Sequence, residues 1–317
     1  MIWLSIPLLG ISLFFIGFVS DRIIRYALVL SRFFGLSEMA AGFVILSVST
    51  SLPELSVSLI SSLSNEGGLS VGNVMGSNIA NLTIIIALAI IFSKSAILIR
   101  GESQKELVQF LFISSIIPLF IVQRGSLGPI LGLVLIILFI YFSITLSKTP
   151  KESELSEPPK HDGSSVAISG LKFIVCMVII IAFSKLVVDS SIDIANFISL
   201  PASIIGATII GIGTSLPELA TTIQALKKKY YEMALGNLLG SCITNVTLVL
   251  GLSSLVSFSE VNIFAVQSIM FYVLISSLTV WYMVSSSKSI NRKGVIFLCL
   301  IYFAFILQQV GISLFIF

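Results

Sequence analysis

The hexapeptides STSLPE (49–54) and GTSLPE (213–218) each stand inside a long apolar stretch. A glutamate in lipid is costly, and a proline there breaks the helical hydrogen-bond ladder, so a frame holding both restricts the chain more than any other feature. The frame recurs at an offset of 164 residues, and at that offset no gap is needed from Asp21/Lys185 through Asn81/Asn245. The coinciding pairs include Gly42/Gly206, Thr50/Thr214, Ser51/Ser215, Pro53/Pro217, Glu54/Glu218, Gly72/Gly236, Asn73/Asn237, Gly76/Gly240, Ser77/Ser241 and Asn81/Asn245. Chance similarity between apolar helices matches leucines and isoleucines. It does not match Glu, Pro, Asn and Ser in register, so the chain is an internal duplication.

The medium in which the two copies fold follows from composition. Of the 317 residues 56% are hydrophobic and 10% charged, and the mean hydropathy is +1.10. A water-soluble surface needs more charge than that. Stretches of about 20 apolar residues match a bilayer core roughly 30 Å thick. The expected fold class is therefore an all-α membrane protein with ten transmembrane helices, near 2–20, 39–63, 69–92, 104–122, 126–147, 167–188, 201–226, 231–257, 261–285 and 292–315. The first span has no basic segment before it and no small-residue cleavage site behind it, so it reads as a retained helix. Cys176, Cys242 and Cys299 lie in apolar runs without CxxC spacing, which points to neither a disulfide framework nor a zinc site. A formal charge of +3 gives no reason to expect nucleic acid, and no obligate protein partner is evident.

Positive charge sets the orientation. With the N-terminus outside, the loops that become cytoplasmic carry fifteen Lys/Arg, the opposite loops carry only Arg124, and Lys172 and Lys185 fall within the sixth span. Both termini should then face out. Lys227, Lys228 and Lys229 read as a topology anchor. Residues 148–166 form the one long polar segment, a cytoplasmic linker that holds adjacent prolines and the sole histidine, His161. It divides a first five-helix repeat (1–147) from a second (167–317). An odd number of spans per repeat makes the second copy enter from the opposite side. The expected architecture is thus two inverted five-helix repeats with a site near the midplane where they meet.

The residues that carry chemistry fall on two adjacent spans of each repeat. Pro53 gives no N–H to the preceding turn, which loosens carbonyls near residues 47–50, and Pro217 does the same near 211–214. Helical spacing puts Thr50 and Glu54 on one face with Ser51 adjoining, and likewise Ser77 with Asn81 and Ser241 with Asn245. Glycines 72, 76, 236 and 240 form small faces that let backbones approach. Prolines kink membrane helices, serines and threonines bond back to their own carbonyls, and glycine faces serve packing, so each of these taken singly has a structural explanation. A glutamate at mid-span is a functional group by default, and here it occurs twice. Asp21 and Lys185 read as interfacial or packing residues, and Asp189, Asp193 and Glu260 as solvated ones. The ligand set is all oxygen and partly backbone, which suits hard cations such as Ca²⁺ more than Mg²⁺. The same oxygens could hold Na⁺, and mutually exclusive occupancy is the physical basis of exchange. A single thiol, Cys242, argues against copper or zinc as cargo.

At these residues the sequence resembles the cation/Ca²⁺ exchanger superfamily, and within it the Na⁺/Ca²⁺ exchangers. The likeness lies in two α-repeats, 42–84 and 206–248, where STSLPE pairs with GNVMGSNIAN and GTSLPE with GNLLGSCITN. It implies that Glu54 and Glu218 coordinate Ca²⁺ directly. Thr50, Ser51, Ser77, Thr214, Ser215 and Ser241, with the carbonyls of Ser47 and Gly211, would complete the Na⁺ and Ca²⁺ positions, and Asn81 and Asn245 would line the centre. Ser49 replaces the family's usual glycine. Asparagine at 245, where K⁺-cotransporting relatives carry aspartate, argues against K⁺ dependence. The hydroxyls of the TSLPE frames favour Na⁺ over H⁺ as driving ion, because Ca²⁺/H⁺ relatives carry G-N-x-x-E there. The expected function is a secondary antiporter exchanging Na⁺ for Ca²⁺ by alternating access, with no cofactor beyond the transported ions. The short linker leaves no room for regulatory domains, which points to a prokaryotic plasma membrane. Ca²⁺/H⁺ or K⁺-dependent exchange is the alternative within transport. A cation channel is a different class, one that saturable counterflow would separate. An enzyme is not expected, since the spans hold no histidine.

Overall fold

In lipid no water can satisfy a broken backbone ladder, so apolar stretches of this length fold as helices, and the computed structural model is built almost wholly of them. It describes residues 2–63, 67–98, 102–124, 126–148, 163–197, 211–256, 259–260, 263–286, 289–290 and 292–309. In chain order these form α1 (Ile2–Phe33), α2 (Glu38–Thr50), α3 (Leu52–Leu63), α4 (67–93), β1 (Ile97–Leu98), α5 (Glu102–Arg124), β2 (Ser126–Leu127), α6 (Pro129–Ser147) and α7 (Gly163–Phe197). There follow α8 (Gly211–Thr214), α9 (Leu216–Lys227), α10 (231–256), β3 (Ser259–Glu260), α11 (Ile263–Ser286), β4 (Ser289–Ile290) and α12 (Arg292–Gln309). Among the described residues six helices are long and apolar enough to cross a bilayer, or seven if the bent pair α2–α3 counts as one.

Polarity is distributed as lipid requires. Ile130, Leu133, Ile137 and Ile140 of α6 and Leu171, Ile174 and Val178 of α7 are exposed, while serines, threonines, asparagines and both motif glutamates are buried. Within Ser70–Ser93 and Tyr231–Val256, 78% of an apolar 18-residue stretch is buried, against 22% within Pro129–Ser147. The two that carry the GNxxGS motif therefore form the centre of the molecule, and the most apolar helix lies at its rim.

Packing and sheet pairing both bring one half against the other. Helix α1 lies along α7, α5 along α11, and α10 against α2. Helix α5 also meets the first part of α10, as α11 meets the first part of α4. Two short antiparallel pairs, not expected from sequence, clip loops together: β1 with β4 (Ile97 opposite Ile290) and β2 with β3 (Ser126 opposite Glu260). The contact of α2 with α10 is close because both sides are glycine. A Cβ on Gly42 would lie 2.5 Å from the Met233 carbonyl oxygen, and one on Gly236 would lie 2.6 Å from that of Met39. Gly72 and Gly76 have no such contact among the described residues.

Three element boundaries differ from expectation. Helix α1 runs to Phe33, past the expected end at 20, and takes Arg22, Arg25 and Arg32 out of a loop and into a helix. Helix α7 begins at Gly163, inside the expected linker, and runs to Phe197. In both cases no Gly or Pro interrupts the extension (21–33 and 189–197), so polar residues alone do not end the helix. The third difference is a break at Ser51, treated below. The linker residues 149–162, His161 among them, lie outside the described residues, as does 198–210, which holds Gly206 and the first ten residues of the expected seventh span.

Candidate cation site

Pro53 cannot donate to the carbonyl of Ser49, and the helix stops there. Ser51 leaves the helical region (φ −80°, ψ 7°), and Glu38–Thr50 meets Leu52–Leu59 at 45°. Ser215 takes nearly the same conformation before Pro217 (φ −88°, ψ 8°). Each frame thus becomes a bent joint with its glutamate in the first turn of the helix that follows. The loosened carbonyls differ between copies. Ser51 N–H still reaches the Ser47 carbonyl at 3.0 Å, whereas Ser215 N–H bonds one residue nearer, to Ile212 at 3.1 Å. The Ser47 carbonyl is therefore not wholly freed, and Thr50 Oγ1 also donates to it at 3.3 Å.

A widened turn also occurs at equivalent places in the neighbouring helices. Residues Asn81–Ile85 of α4 and Asn245–Val249 of α10 are π-helical, again at the offset of 164. Such bulges shift side chains around the axis and are frequent at functional sites. A longer π segment, Ala41–Ser47, precedes the first joint.

Both glutamates are fully buried, and all four of their carboxylate oxygens lack a hydrogen-bond partner. Glu54 faces the hydroxyls of Thr214 and Ser77, and Glu218 faces those of Thr50, Ser241 and Ser51. None of these closes a well-formed hydrogen bond to a carboxylate. Instead the hydroxyls pair with one another across the halves, Thr50 with Ser241 at 3.3 Å and Ser77 with Thr214 at 3.4 Å. The i, i+4 reading that set Thr50 beside Glu54 is corrected here. The joint at Ser51 lies between them, and Thr50 turns to the glutamate of the other half. Ser51, Ser215, Asn81 and the Asn245 carboxamide oxygen are buried without a partner. Ser47 donates to Phe43 and meets Thr244 Oγ1 at 3.1 Å, and Gly211 opens α8. Glu54, Glu218, Thr50, Ser51, Thr214, Ser77 and Ser241 thus form one cluster made from both halves, with Ser215 buried at the second joint and Asn81 and Asn245 buried on the adjoining π turns.

Asn73 and Asn237 match in sequence but were not among the expected ligands. Asn73 Nδ2 donates to the Glu54 carbonyl (3.1 Å) and to Ser58 Oγ (2.9 Å). Asn237 Nδ2 reaches the Glu218 carbonyl (3.3 Å), Thr221 (3.0 Å) and Thr222 (2.9 Å). These amides clamp the turn that carries each glutamate, and their recurrence in the duplication was the signal for them. Lys228, expected only as a topology anchor, bonds Asp21 Oδ1 at 2.9 Å and the Asp21 carbonyl at 2.8 Å, joining α1 to the end of α9. Asp193, expected to be solvated, is exposed and also accepts from Ser5 at 3.0 Å.

Buried carboxylates without partners are expensive unless a cation accompanies them. The surrounding donors are oxygens, and among the described residues no cluster of three His, Cys, Asp or Glu exists. Such a set suits a hard cation held by oxygen.

Comparison with known proteins agrees with this chemistry. A family model described as sodium/calcium exchanger protein matches residues 4–148 and 168–311. The inner membrane protein YrbG of Escherichia coli is 31% identical over 82% of this chain and 82% of its own length. The sodium/calcium exchanger MaX1 of Methanosarcina acetivorans is 29% identical over 96% and 98%. Among solved structures, the sodium-calcium exchanger NCX_Mj soaked with 10 mM Na⁺ and no Ca²⁺ superposes with a TM-score of 0.78 at 26% identity, covering 96% of this chain and 98% of its own. The same exchanger in 2.5 mM Na⁺ and 0.1 mM Ca²⁺ gives 0.79, with both chains covered fully.

Proposed function

Since the chain belongs to the sodium/calcium exchanger family, we propose that this multi-pass membrane protein is a secondary antiporter that moves Ca²⁺ against Na⁺ by alternating access. One observation carries the reading: Glu54 and Glu218 meet from opposite halves, fully buried, with every carboxylate oxygen unpartnered among hydroxyls. Two negative charges balance one divalent cation, and the same oxygens serve Na⁺ when Ca²⁺ leaves. The ligands are Glu54, Glu218, Thr50, Ser51, Thr214, Ser215, Ser77 and Ser241, with the carbonyls of Ser47 and Gly211 and the amides of Asn81 and Asn245. NCX_Mj was solved after soaking in Na⁺ with Ca²⁺ or Sr²⁺, which supports Na⁺ and Ca²⁺ as substrates here.

Alternating access is built into the architecture we propose, ten spans in two inverted repeats, 1–147 and 167–317, joined by the linker 148–166. Its support is a set of interactions that recur between the halves. At the offset of 164 Thr50–Ser241 answers Ser77–Thr214 and Asn73 on Glu54 answers Asn237 on Glu218, and the pairing β1–β4 answers β3–β2 at the slightly shorter offsets of 162 and 163. Sidedness is consistent as well. In sequence, β1 and β4 are flanked by Lys94, Arg100, Lys288, Arg292 and Lys293, whereas the only basic residue flanking β2 and β3 is Arg124. The basic side is cytoplasmic, both termini face out, and the membrane is a prokaryotic plasma membrane.

The test is uptake of radioactive Ca²⁺ into proteoliposomes loaded with Na⁺, K⁺ or an acidic buffer. Uptake that requires internal Na⁺ and vanishes in Glu54→Gln and Glu218→Gln is the expected result. Uptake that follows the proton gradient and ignores Na⁺ would replace the reading with Ca²⁺/H⁺ exchange at the same glutamates.

A further inference from the structure

The two central asparagines of the site, Asn81 and Asn245, are equivalent in sequence but not in bonding. Asn245 Nδ2 donates to Asn78 Oδ1 at 3.1 Å, and Asn78 Nδ2 donates to the Cys242 carbonyl at 3.0 Å. Asn81 has neither of its amide atoms bonded, although it is fully buried. The difference arises at one pair of positions, because residues 78 and 242 correspond under the offset of 164 and hold Asn and Cys. The Cys242 thiol lies 3.9 Å from the Asn78 carbonyl oxygen, repeating the Asn78-to-carbonyl bond weakly. A thiol has no strong acceptor to offer an amide, so the second link of the chain is missing on that side.

The direction of the relay is fixed by its end. A backbone carbonyl can only accept, so Asn78 must turn its NH₂ to Cys242 and its oxygen to Asn245. Asn245 must then present its own NH₂ to Asn78, which leaves its oxygen as the free atom, buried and unpartnered. We propose that Asn78 is a positioning residue that obliges Asn245 to offer a carboxamide oxygen to the cation, and that Cys242 withholds the same constraint from Asn81. Asn81 can then rotate, turning oxygen to a bound cation or NH₂ to a carboxylate when the cation has left. The inference rests on the cation-site reading above and deepens it. It makes the two halves of a duplicated site unequal, one amide preset and the other adaptable.

Exchanging the two residues moves the relay from one half to the other. Ca²⁺ affinity would be measured by calorimetry on the purified full-length protein for Asn245→Ala and Asn81→Ala, first in the native background and then in Asn78→Cys/Cys242→Asn. In the native background Asn245→Ala should weaken Ca²⁺ about tenfold and Asn81→Ala about twofold, since a preset ligand costs more to lose. In the exchanged background the order should reverse. A purely structural role for residues 78 and 242 would leave the order unchanged, and that result overturns the proposal. Should the double exchange not fold, Asn78→Cys alone must bring the cost of Asn245→Ala down to that of Asn81→Ala, and an undiminished cost overturns it equally. Glu54→Gln separates the two readings. Ca²⁺ binding that survives it removes the cation site and the premise together, whereas binding lost in Glu54→Gln with an unreversed order removes the relay alone.

Discussion

At the scale of single residues the site depends on groups left unsatisfied by the protein itself. Removing either charge leaves the other carboxylate to face a divalent ion alone. Glu54→Gln or Glu218→Gln should therefore weaken Ca²⁺ by about a hundredfold or more, roughly 3 kcal/mol, read by calorimetry. The clamps behind the glutamates act less strongly. Asn237→Ala loses four bonds, counting the one that Thr50 Oγ1 donates to its Oδ1 at 3.4 Å, and Asn73→Ala two, so at about 1 kcal/mol per bond the first should cost more Ca²⁺ affinity than the second. At the proposed site protons would compete with Ca²⁺ for the four carboxylate oxygens, so Ca²⁺ binding should fall as the medium is acidified. Binding that is unchanged down to about pH 5, near the ordinary carboxylate range, would contradict this.

Helices carry the next level of argument, since close approach of α2 and α10 holds the two halves of the site together. Gly236→Ala sets a methyl 2.6 Å from a backbone oxygen that cannot move aside. It should cost about 1–3 kcal/mol, seen as a lowered melting temperature in detergent. Gly10→Ala in α1 meets nothing within 4 Å among the described residues and should be neutral or stabilising by up to about 1 kcal/mol. The joints obey the same logic in reverse. Pro217→Ala returns an N–H to the ladder and favours a straighter α8–α9, so transport should fall while the protein still folds.

For the whole molecule, sidedness is the property to measure. A reporter active only outside the cell should work when fused after Phe317 and fail when inserted in the linker near residue 155, and the opposite pattern would invert the proposed topology. The tie from Lys228 to Asp21 crosses from one half to the other at a partly exposed site. Lys228→Gln should change stability by less than about 1 kcal/mol, because solvent screens such pairs. Under the proposed exchange any net charge carried per cycle gains roughly 2.3 kcal/mol per elementary charge per 100 mV, so the response of Ca²⁺ uptake to an imposed potential would count the Na⁺ ions exchanged.

Hydropathy and duplication by themselves determined the medium, the helical class and the two frames from which the site is built. Lipid allows so few backbone solutions that twenty apolar residues read almost unambiguously, and a repeated Glu-Pro frame has no packing explanation. The pairing of hydroxyls with glutamates was decided by tertiary structure alone. Helical spacing joined Thr50 to Glu54, yet the joint at Ser51 sends Thr50 to the other half, an outcome set by how the bent helices cross. The two strand clips and the Lys228–Asp21 tie likewise need partners more than a hundred residues away in sequence. The asymmetry at Asn78 and Cys242 was present in the sequence as one unmatched pair. Its meaning appeared only when the fold brought both residues together beside Asn245, because a hydrogen-bond relay has a direction only once its ends are fixed in space.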